Sequence, residues 1–379
     1  MSRINVETFS GTHYEIGVQQ GQAVRALLHR TFAQAGNLVE VKSMKPRFVP
    51  MSLFLSLARR RATKQLHDAI VHYYPNQAAR LTGIADGAGI DVSWLFFAQS
   101  MELLVTINSS IYHVPACTSF GCTPQRTRTQ DTILAKNFDY PNHFFPLNLT
   151  CHVKPTGAYQ TLGCTMAPLP GMLDGMNEHG LTVTQNLAYA IDEPTCFAPN
   201  SLALQEMLET CQTTDEAVQF ITHTQRAGNH LLMIADVEDH IKTVEISHNY
   251  SAIRSPQNGQ LINTNHYHTA TMQQHEVPHD AVFTGDVAQE FRGIRVHESS
   301  EQRFQRAQEL LTDIVVDDHV LATVLSDHGQ NNMASNLTLC QHGDYLSTLR
   351  SGIFYPKRRQ LKVLYGNPCQ NTFSEFSFS

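Results

Sequence analysis

The period of the apolar residues changes at Cys117, and that change limits the folds open to this chain of 379 residues. Before it, the spacing is helical. Thr12-His13-Tyr14-Glu15 reads as a capping box, in which hydroxyl and carboxylate satisfy backbone donors reciprocally. Val24, Leu27, Leu28 and Phe32 then follow as an apolar stripe. Gly17 and Gly21 lie on one face and predict close approach of another element, at a cost in helix propensity that packing must offset. More helix is predicted from Ser52 to Tyr74, with Pro75 as a stop, and from Gln77 through GIADGAG to Leu104. After Cys117 the runs are short and β-type: Cys117 to Cys122, Thr132 to Lys136, Leu147 to Val153 and Tyr159 to Thr165. A helical pair follows at Leu202 to Thr210 and Thr214 to His223, then strands at Leu231 to Ala235 and Thr243 to Ile246. Helices fit Ser299 to Leu311 and Val315 to Leu325, and strands return at Leu337 to Cys340, Tyr345 to Ile353 and Gln360 to Tyr365. Strands grouped around helical pairs predict an α+β layered domain, not alternating parallel βα units.

Several function classes fall away on composition. With 27 basic against 34 acidic residues the net charge is −7, and the one tight basic cluster, Arg59-Arg60-Arg61, sits on a helical segment. Nucleic-acid binding draws its affinity from a basic surface field, which this chain lacks. The apolar run from Leu95 to Ile107 is interrupted by Gln99, Ser100 and Glu102 and is shorter than the roughly 20 residues of a membrane-spanning helix. The opening MSRINVETFSG has no signal-peptide pattern, so a reducing cytoplasm is the expected compartment. The eight cysteines include no C-x-x-C pair, and His266-Tyr267-His268 has no nearby Asp, Glu or Cys to complete a ligand set. Neither metal nor cofactor is expected.

One cysteine stands apart. In VPACTSFGC, residues 114–122, Cys117 follows a small residue whose carbonyl a thiol can reach, and Pro115 holds the preceding backbone extended. Polar Thr118 and Ser119 come next, which is odd for a wholly buried strand. Taken alone, Cys117 reads as a packed core cysteine. Downstream, AKNFDYP carries Lys136 and Asp139, where two antiparallel strands would set Asp139 beside Cys117. GMNEHGLTVTQN ends in Asn186, LINTNHYH holds Asn265, and SSEQRFQRAQELL holds Arg303. Singly these are a turn former, two caps and a solvated helix residue.

As an ordered set they carry a resemblance. The chain resembles a cysteine-type Ntn (N-terminal nucleophile) hydrolase of the isopenicillin-N acyltransferase-like family, with choloylglycine hydrolases as distant relatives. The matches run nearly end to end: GTHYEIGVQQG, LTGIADGAGIDVSWL, CTSF, KNFDY, GMNEHGL, QN, NTNH and EQRFQR, with LSDH and GNPC near the end. The resemblance implies a four-layer αββα sandwich over 117–379, preceded by a helical segment, 1–116, released as an associated fragment when the chain cuts itself between Ala116 and Cys117. Cys117 would be the nucleophile, Asp139 the carboxylate that holds its new α-amine, and Asn186 an oxyanion donor. Asn265 would orient amine and substrate, and Arg303 would be the basic residue near the nucleophile. Lys136 stands where the bile-salt relatives carry arginine; its charge would depress a thiol pKa, but without arginine's bidentate fork. Ala116 is less permissive of a strained turn than glycine.

The residue types suit that chemistry. A thiol of pKa about 8.5 is mostly protonated at neutral pH, and an α-amine of about 7.7 to 8.0 is a base matched to it. One residue then supplies nucleophile and base, and an acyl-thioester follows. The expected reaction is hydrolysis of a small linear N-acyl amide; the alternative is acyl transfer from an amide or acyl-CoA to a small amine acceptor. Homo-oligomerisation is compatible with either.

Overall fold

The computed structural model describes residues 4–107, 116–284 and 287–378. Val114 and Pro115, on which the extended approach to Cys117 was argued, lie outside the described residues. The strands are β1 (Glu7–Gly11), β2 (Ala116–Cys122), β3 (Ile133–Pro141), β4 (Asn148–Pro155), β5 (Thr161–Met166), β6 (Asp174–Asn177) and β7 (Thr182–Leu187). They continue as β8 (His230–Ala235), β9 (Ile241–Ile246), β10 (Ser251–Arg254), β11 (Gln260–Asn263), β12 (Leu346–Tyr355), β13 (Gln360–Tyr365) and β14 (Ser374–Ser377). The first half of the helices comprises α1 (His13–Ala23), α2 (Arg25–Ala33), α3 (Val39–Met44), α4 (Met51–Tyr73), α5 (Pro75–Ala88) and α6 (Ser93–Ile107). The rest are α7 (Asn200–Thr210), α8 (Thr214–His223), α9 (Ala270–Gln273), α10 (Glu298–Leu311) and α11 (Asp318–Leu325).

Among the described residues, one sheet of eight strands runs β1-β4-β5-β6-β7-β8-β9-β10 and another of six runs β11-β2-β3-β12-β13-β14. Successive strand side chains point to opposite faces, and here both faces are covered. In β8, Met233 and Ala235 meet Leu134, Phe354 and Val363 of the other sheet, while Leu232 and Ile234 pack under α7 and α8 with Leu208 and Ile221. In β3, Ile133 and Ala135 turn outward to Leu311 of α10 and Leu325 of α11. The layers are thus helices, sheet, sheet, helices, which is the expected αββα order. Burying each such Leu, Ile or Met side chain contributes about 1.5–3 kcal/mol.

The close helix approach predicted from Gly17 and Gly21 is between α1 and α5, and the partner surface is glycine too. A Cβ on Gly17 would lie 2.1 Å from the Arg80 carbonyl, and one on Gly87 would lie 2.1 Å from that of Val18. Backbone meets backbone, so no larger residue fits without moving a helix. The Thr12 capping box is present, with Glu15 returning to the Thr12 N–H at 2.8 Å.

Three expectations need correction. The first 116 residues are not wholly helical, because β1 adds a parallel edge strand to β4. Helix α4 stops at Tyr73, just before Pro75 as expected, and Pro75 also opens α5 at the first helical position, where its missing N–H costs nothing. The helix expected from Gln77 to Leu104 is two, because Gly89 takes a left-handed cap with φ of 67°. Leu337 to Cys340 is turn, not strand, because Thr338 spends its hydroxyl on the Ser335 and Cys340 carbonyls at 2.8 and 2.7 Å.

Candidate active site

Strand β2 lies between β11 and β3, and this sandwiching explains its polar residues. The antiparallel register sets Ala116 opposite Asp139 and Cys117 opposite Phe138, while Ser119 faces Asn263 of β11. Thr118 and Ser119 are fully buried, and each hydroxyl has a partner: Thr118 Oγ1 accepts from Arg303 at 2.9 Å, and Ser119 donates to Asn186 Oδ1 at 2.8 Å. The polar pair after Cys117 is therefore part of an interior network, where a missing partner would cost about 1–3 kcal/mol.

Cys117 is gripped by its backbone. Its N–H donates to Asn265 Oδ1 at 3.0 Å, and Arg303 Nη1 donates to its carbonyl at 2.6 Å. Every nitrogen of the Arg303 fork is engaged: Nη2 reaches Asn265 Oδ1 at 2.7 Å, and Nε reaches Ser299 at 3.1 Å. Asn265 is itself fixed by its Nδ2 on the Leu187 carbonyl at 2.7 Å and by its N–H on Ser300 Oγ at 2.6 Å. The N–H held by Asn265 belongs to the Ala116–Cys117 peptide bond, so any cut there would leave the new amine on the same acceptor.

Burial governs the charges. The Cys117 thiol, 3% exposed, is pushed up from its ordinary pKa, with Lys136 opposing and Asp139 adding to the shift. Burial also raises Asp139 from 3.8 to about 7, against the pull of the Arg303 charge and the Thr348 hydroxyl, which donates to Oδ1 at 2.5 Å. Asp139 Oδ2 is buried with no hydrogen-bond partner among the described residues. Lys136 ties to Asp174 at 2.5 Å and to the Gln185 carbonyl; Asp174 also takes Arg350 at 3.0 Å, and these two cations hold its carboxyl below the usual range. Lys136 thus brings charge toward the thiol while being bonded to a different carboxylate.

A folded-state pKa above the unfolded value favours the acid form, so the Asp139 contribution to stability is full below about 3.8 and is lost as pH rises to about 7. In an uncut Cys117→Ala background, Asp139→Asn is expected to remove that loss, worth roughly 4 kcal/mol across the window. Denaturant titrations at pH 5 and pH 8 check it: the gap between the two pH values shrinks if Asp139 titrates there and is unchanged if it does not.

Two cavities flank the Ala116–Cys117 bond. Cys117 lines one of about 130 Å³, walled by Phe32, Phe97, Phe138, Tyr140 and Leu169, with Glu102 and His230 among its few polar groups. Burial raises the Glu102 carboxyl to about 7 and lowers His230 to about 3, so His230 is neutral. Glu102 accepts the Ser201 N–H and hydroxyl at 2.9 and 2.6 Å. Ala116 lines the other, of about 220 Å³, with Asn265, Glu290, Arg295, Ser300 and Arg303.

Of the residues singled out from the sequence, Cys117, Asn265 and Arg303 share direct hydrogen bonds, and Asp139 sits across the β2–β3 register from Ala116. Asn186 is one step removed: its amide bonds to Ser119 and, at 3.1 Å, to the Asn263 carbonyl. His266 and His268 are interior polar groups, the first on Ser300 Oγ at 2.7 Å. Sequence reasoning missed Thr348 and Ser300, which position Asp139 and Asn265, and Asp174, which binds Lys136. A lone hydroxyl or an Asp before glycine carries no signal until strand register is known.

Residues 126–370 match the family model described as acyl-coenzyme A:6-aminopenicillanic acid acyl-transferase. A curated relative, the beta-alanyl-dopamine/carcinine hydrolase of Drosophila melanogaster, is 23% identical over 225 residues, 54% of each chain. This chain therefore spans about half the length of that relative. Among solved structures, the Caenorhabditis elegans ortholog of N-acylethanolamine-hydrolyzing acid amidase is similar with a TM-score of 0.44 at 16% identity, over 64% of this chain and 93% of that one. A variant of the conjugated bile acid hydrolase from Clostridium perfringens gives 0.43 at 15%, over 69% and 97%. With its match covering 126–370, the chain belongs to the acyl-coenzyme A:6-aminopenicillanic acid acyl-transferase family.

Proposed function

We propose that this protein is a self-cleaving cysteine amidohydrolase that opens a small linear N-acyl amide through an acyl-thioester on Cys117. The observation that carries the reading is the paired grip of Asn265 and Arg303 on the Cys117 N–H and carbonyl, beside a thiol that opens on an apolar cavity. In the uncut chain the thiol would attack the Ala116 carbonyl, and water would open the resulting ester, leaving Cys117 as an N-terminal residue. Its α-amine would stay on Asn265 Oδ1 and meet Asp139 Oδ2, a carboxylate oxygen whose buried acceptor is otherwise unused. An ammonium there would satisfy the oxygen and draw the Asp139 pKa back down.

In the mature enzyme that amine would take the thiol proton as sulfur attacks the substrate carbonyl. Asn186 carries a second amide N–H beyond the one spent on Asn263, and it would serve the developing oxyanion, an interaction typically worth about 10² to 10³ in rate. Protonation of the leaving amine by the Cys117 ammonium frees it, and water then releases the acid. The acyl chain would occupy the cavity at Cys117 and the amine the cavity at Ala116, where Asn265, Glu290 and Ser300 stand among apolar walls that include Phe283 and Phe291.

A panel of amides of one small amine tests this, with the acyl part varied from alkanoyl to β-alanyl. The apolar walls predict higher kcat/KM for alkanoyl amides by about tenfold or more, since a buried ammonium needs full compensation. A preference for β-alanyl amides, the kind named for the Drosophila relative, would instead assign Glu102 as a counter-ion. Transfer is the second reading, favoured by the family description and by the separate cavity at Ala116, where a small amine could replace water as acyl acceptor. An added amine that converts acid product into a new amide would identify it, with acyl-CoA as the donor to try alongside.

A further inference from the structure

Away from Cys117, four side chains that the amide chemistry does not use converge at one point. His328 follows α11, Cys340 and His342 lie on the segment before β12, and Cys369 follows β13. One ligand atom from each lies within 4.8 Å of all the others. The Cys340 and Cys369 sulfurs are 3.7 Å apart, and His342 Nε2 is 3.3 and 3.2 Å from them. We propose that His328, Cys340, His342 and Cys369 form a closed tetrahedral site for a structural zinc ion.

The spacing fits a metal better than it fits a bond or a simple contact. Zinc–thiolate bonds of about 2.3 Å at a tetrahedral angle put two sulfurs about 3.8 Å apart, whereas a disulfide needs about 2.05 Å. His328 Nε2 is buried without a hydrogen-bond partner among the described residues, which is costly for an imidazole nitrogen in a polar cluster and natural for a ligand. Two thiolates and two neutral imidazoles balance a divalent cation, so the filled site suits its half-buried place. Softer sulfur and nitrogen donors without carboxylates select zinc over magnesium or calcium. All four positions are taken by protein, which is the pattern of a structural site, not a catalytic one with an open coordination position.

The placement gives the ion a positioning role. Gln341, between two ligands, donates its N–H to Thr348 Oγ1 at 3.0 Å and accepts the Thr348 N–H at 3.1 Å. Thr348 in turn donates to Asp139. Asn367, two residues before Cys369, donates to the Gln341 carbonyl at 2.6 Å. Zinc would tie three chain segments together around the residues that hold the Asp139 carboxyl, and the site stands whether or not Cys117 cleaves amides.

The test is metal analysis of the full chain, purified without a metal-binding tag and dialysed against metal-free buffer. About one zinc per chain is expected in the wild type, with loss in Cys340→Ser and in Cys369→Ser and retention in the control Cys122→Ser. Wild type stripped with chelator and refilled with cobalt(II) should show thiolate-to-cobalt charge-transfer absorption with tetrahedral d–d bands, a readout independent of whether any variant folds. Stripping should also lower Tm by several degrees. A wild type that takes up neither zinc nor cobalt, or one whose peptide map shows a Cys340–Cys369 disulfide, overturns the proposal.

Discussion

Amide hydrolysis is expected to fall about 10⁵-fold or more in Cys117→Ala, with the variant chain staying in one piece. The size follows from losing nucleophile and base together: the sulfur goes directly, and the α-amine is never released because cleavage needs the sulfur. The fold should persist. Cys117 is buried, but the substitution removes a single sulfur beside an existing cavity, and the backbone bonds to Asn265 and Arg303 remain. Circular dichroism and thermal melts beside the activity assay check this. A Cys117→Ala protein that retains hydrolysis within tenfold of wild type contradicts the assignment, whatever its stability.

Arg303→Met is expected to lower stability and to slow the proposed self-cleavage. The guanidinium makes four hydrogen bonds, to the Cys117 carbonyl, Thr118, Asn265 and Ser299, and methionine fills the volume while removing all four donors, leaving Asn265 Oδ1 only the Cys117 N–H. Losing these buried hydrogen bonds costs about 3 kcal/mol or more, which for a chain of this size lowers Tm by about 4 °C or more. The Arg303 charge also opposes the upward shift of Asp139, so its removal drives that carboxyl further toward the neutral acid. Self-cleavage should slow by at least about 10²-fold, since the Cys117 backbone loses its fixed position. Arg303→Lys separates the two causes. It restores charge near Asp139 but not the fork, so the pH behaviour returns while the cleavage rate does not. Arg303→Met with wild-type melting and wild-type processing would show that the network is incidental.

Much of this architecture was legible in the sequence, for local reasons. Helix α8 begins at Thr214, as read, because Thr213 and Glu216 form a capping box that needs no tertiary partner. Strand β13 was read from Gln360 to Tyr365 because its alternation of Leu361, Val363 and polar neighbours is a half-buried pattern. Strands β1, β10 and β14 were invisible: each is a short edge strand with a mixed polar face, and only its neighbour makes it a strand. The grouping of Cys117, Asn265 and Arg303 came from ordered resemblance, since nothing local says that a helix residue will cross to a strand carbonyl. Thr348 escaped because its contact with Asp139 depends on the β12–β3 register, which slips at a bulge between Thr348 and Arg350. The His–Cys cluster escaped for the same kind of reason. Its ligands have no C-x-x-C spacing, and it is the β12–β13 hairpin that returns Cys369 to Cys340 and His342.

Whether Cys117 becomes an N-terminal nucleophile is decided by intact mass and N-terminal sequencing of purified wild-type protein. Two associated chains are expected, the second beginning Cys117-Thr118-Ser119, with cleavage absent in Cys117→Ala. A wild type that remains a single chain while hydrolysing amides at full rate would contradict this expectation.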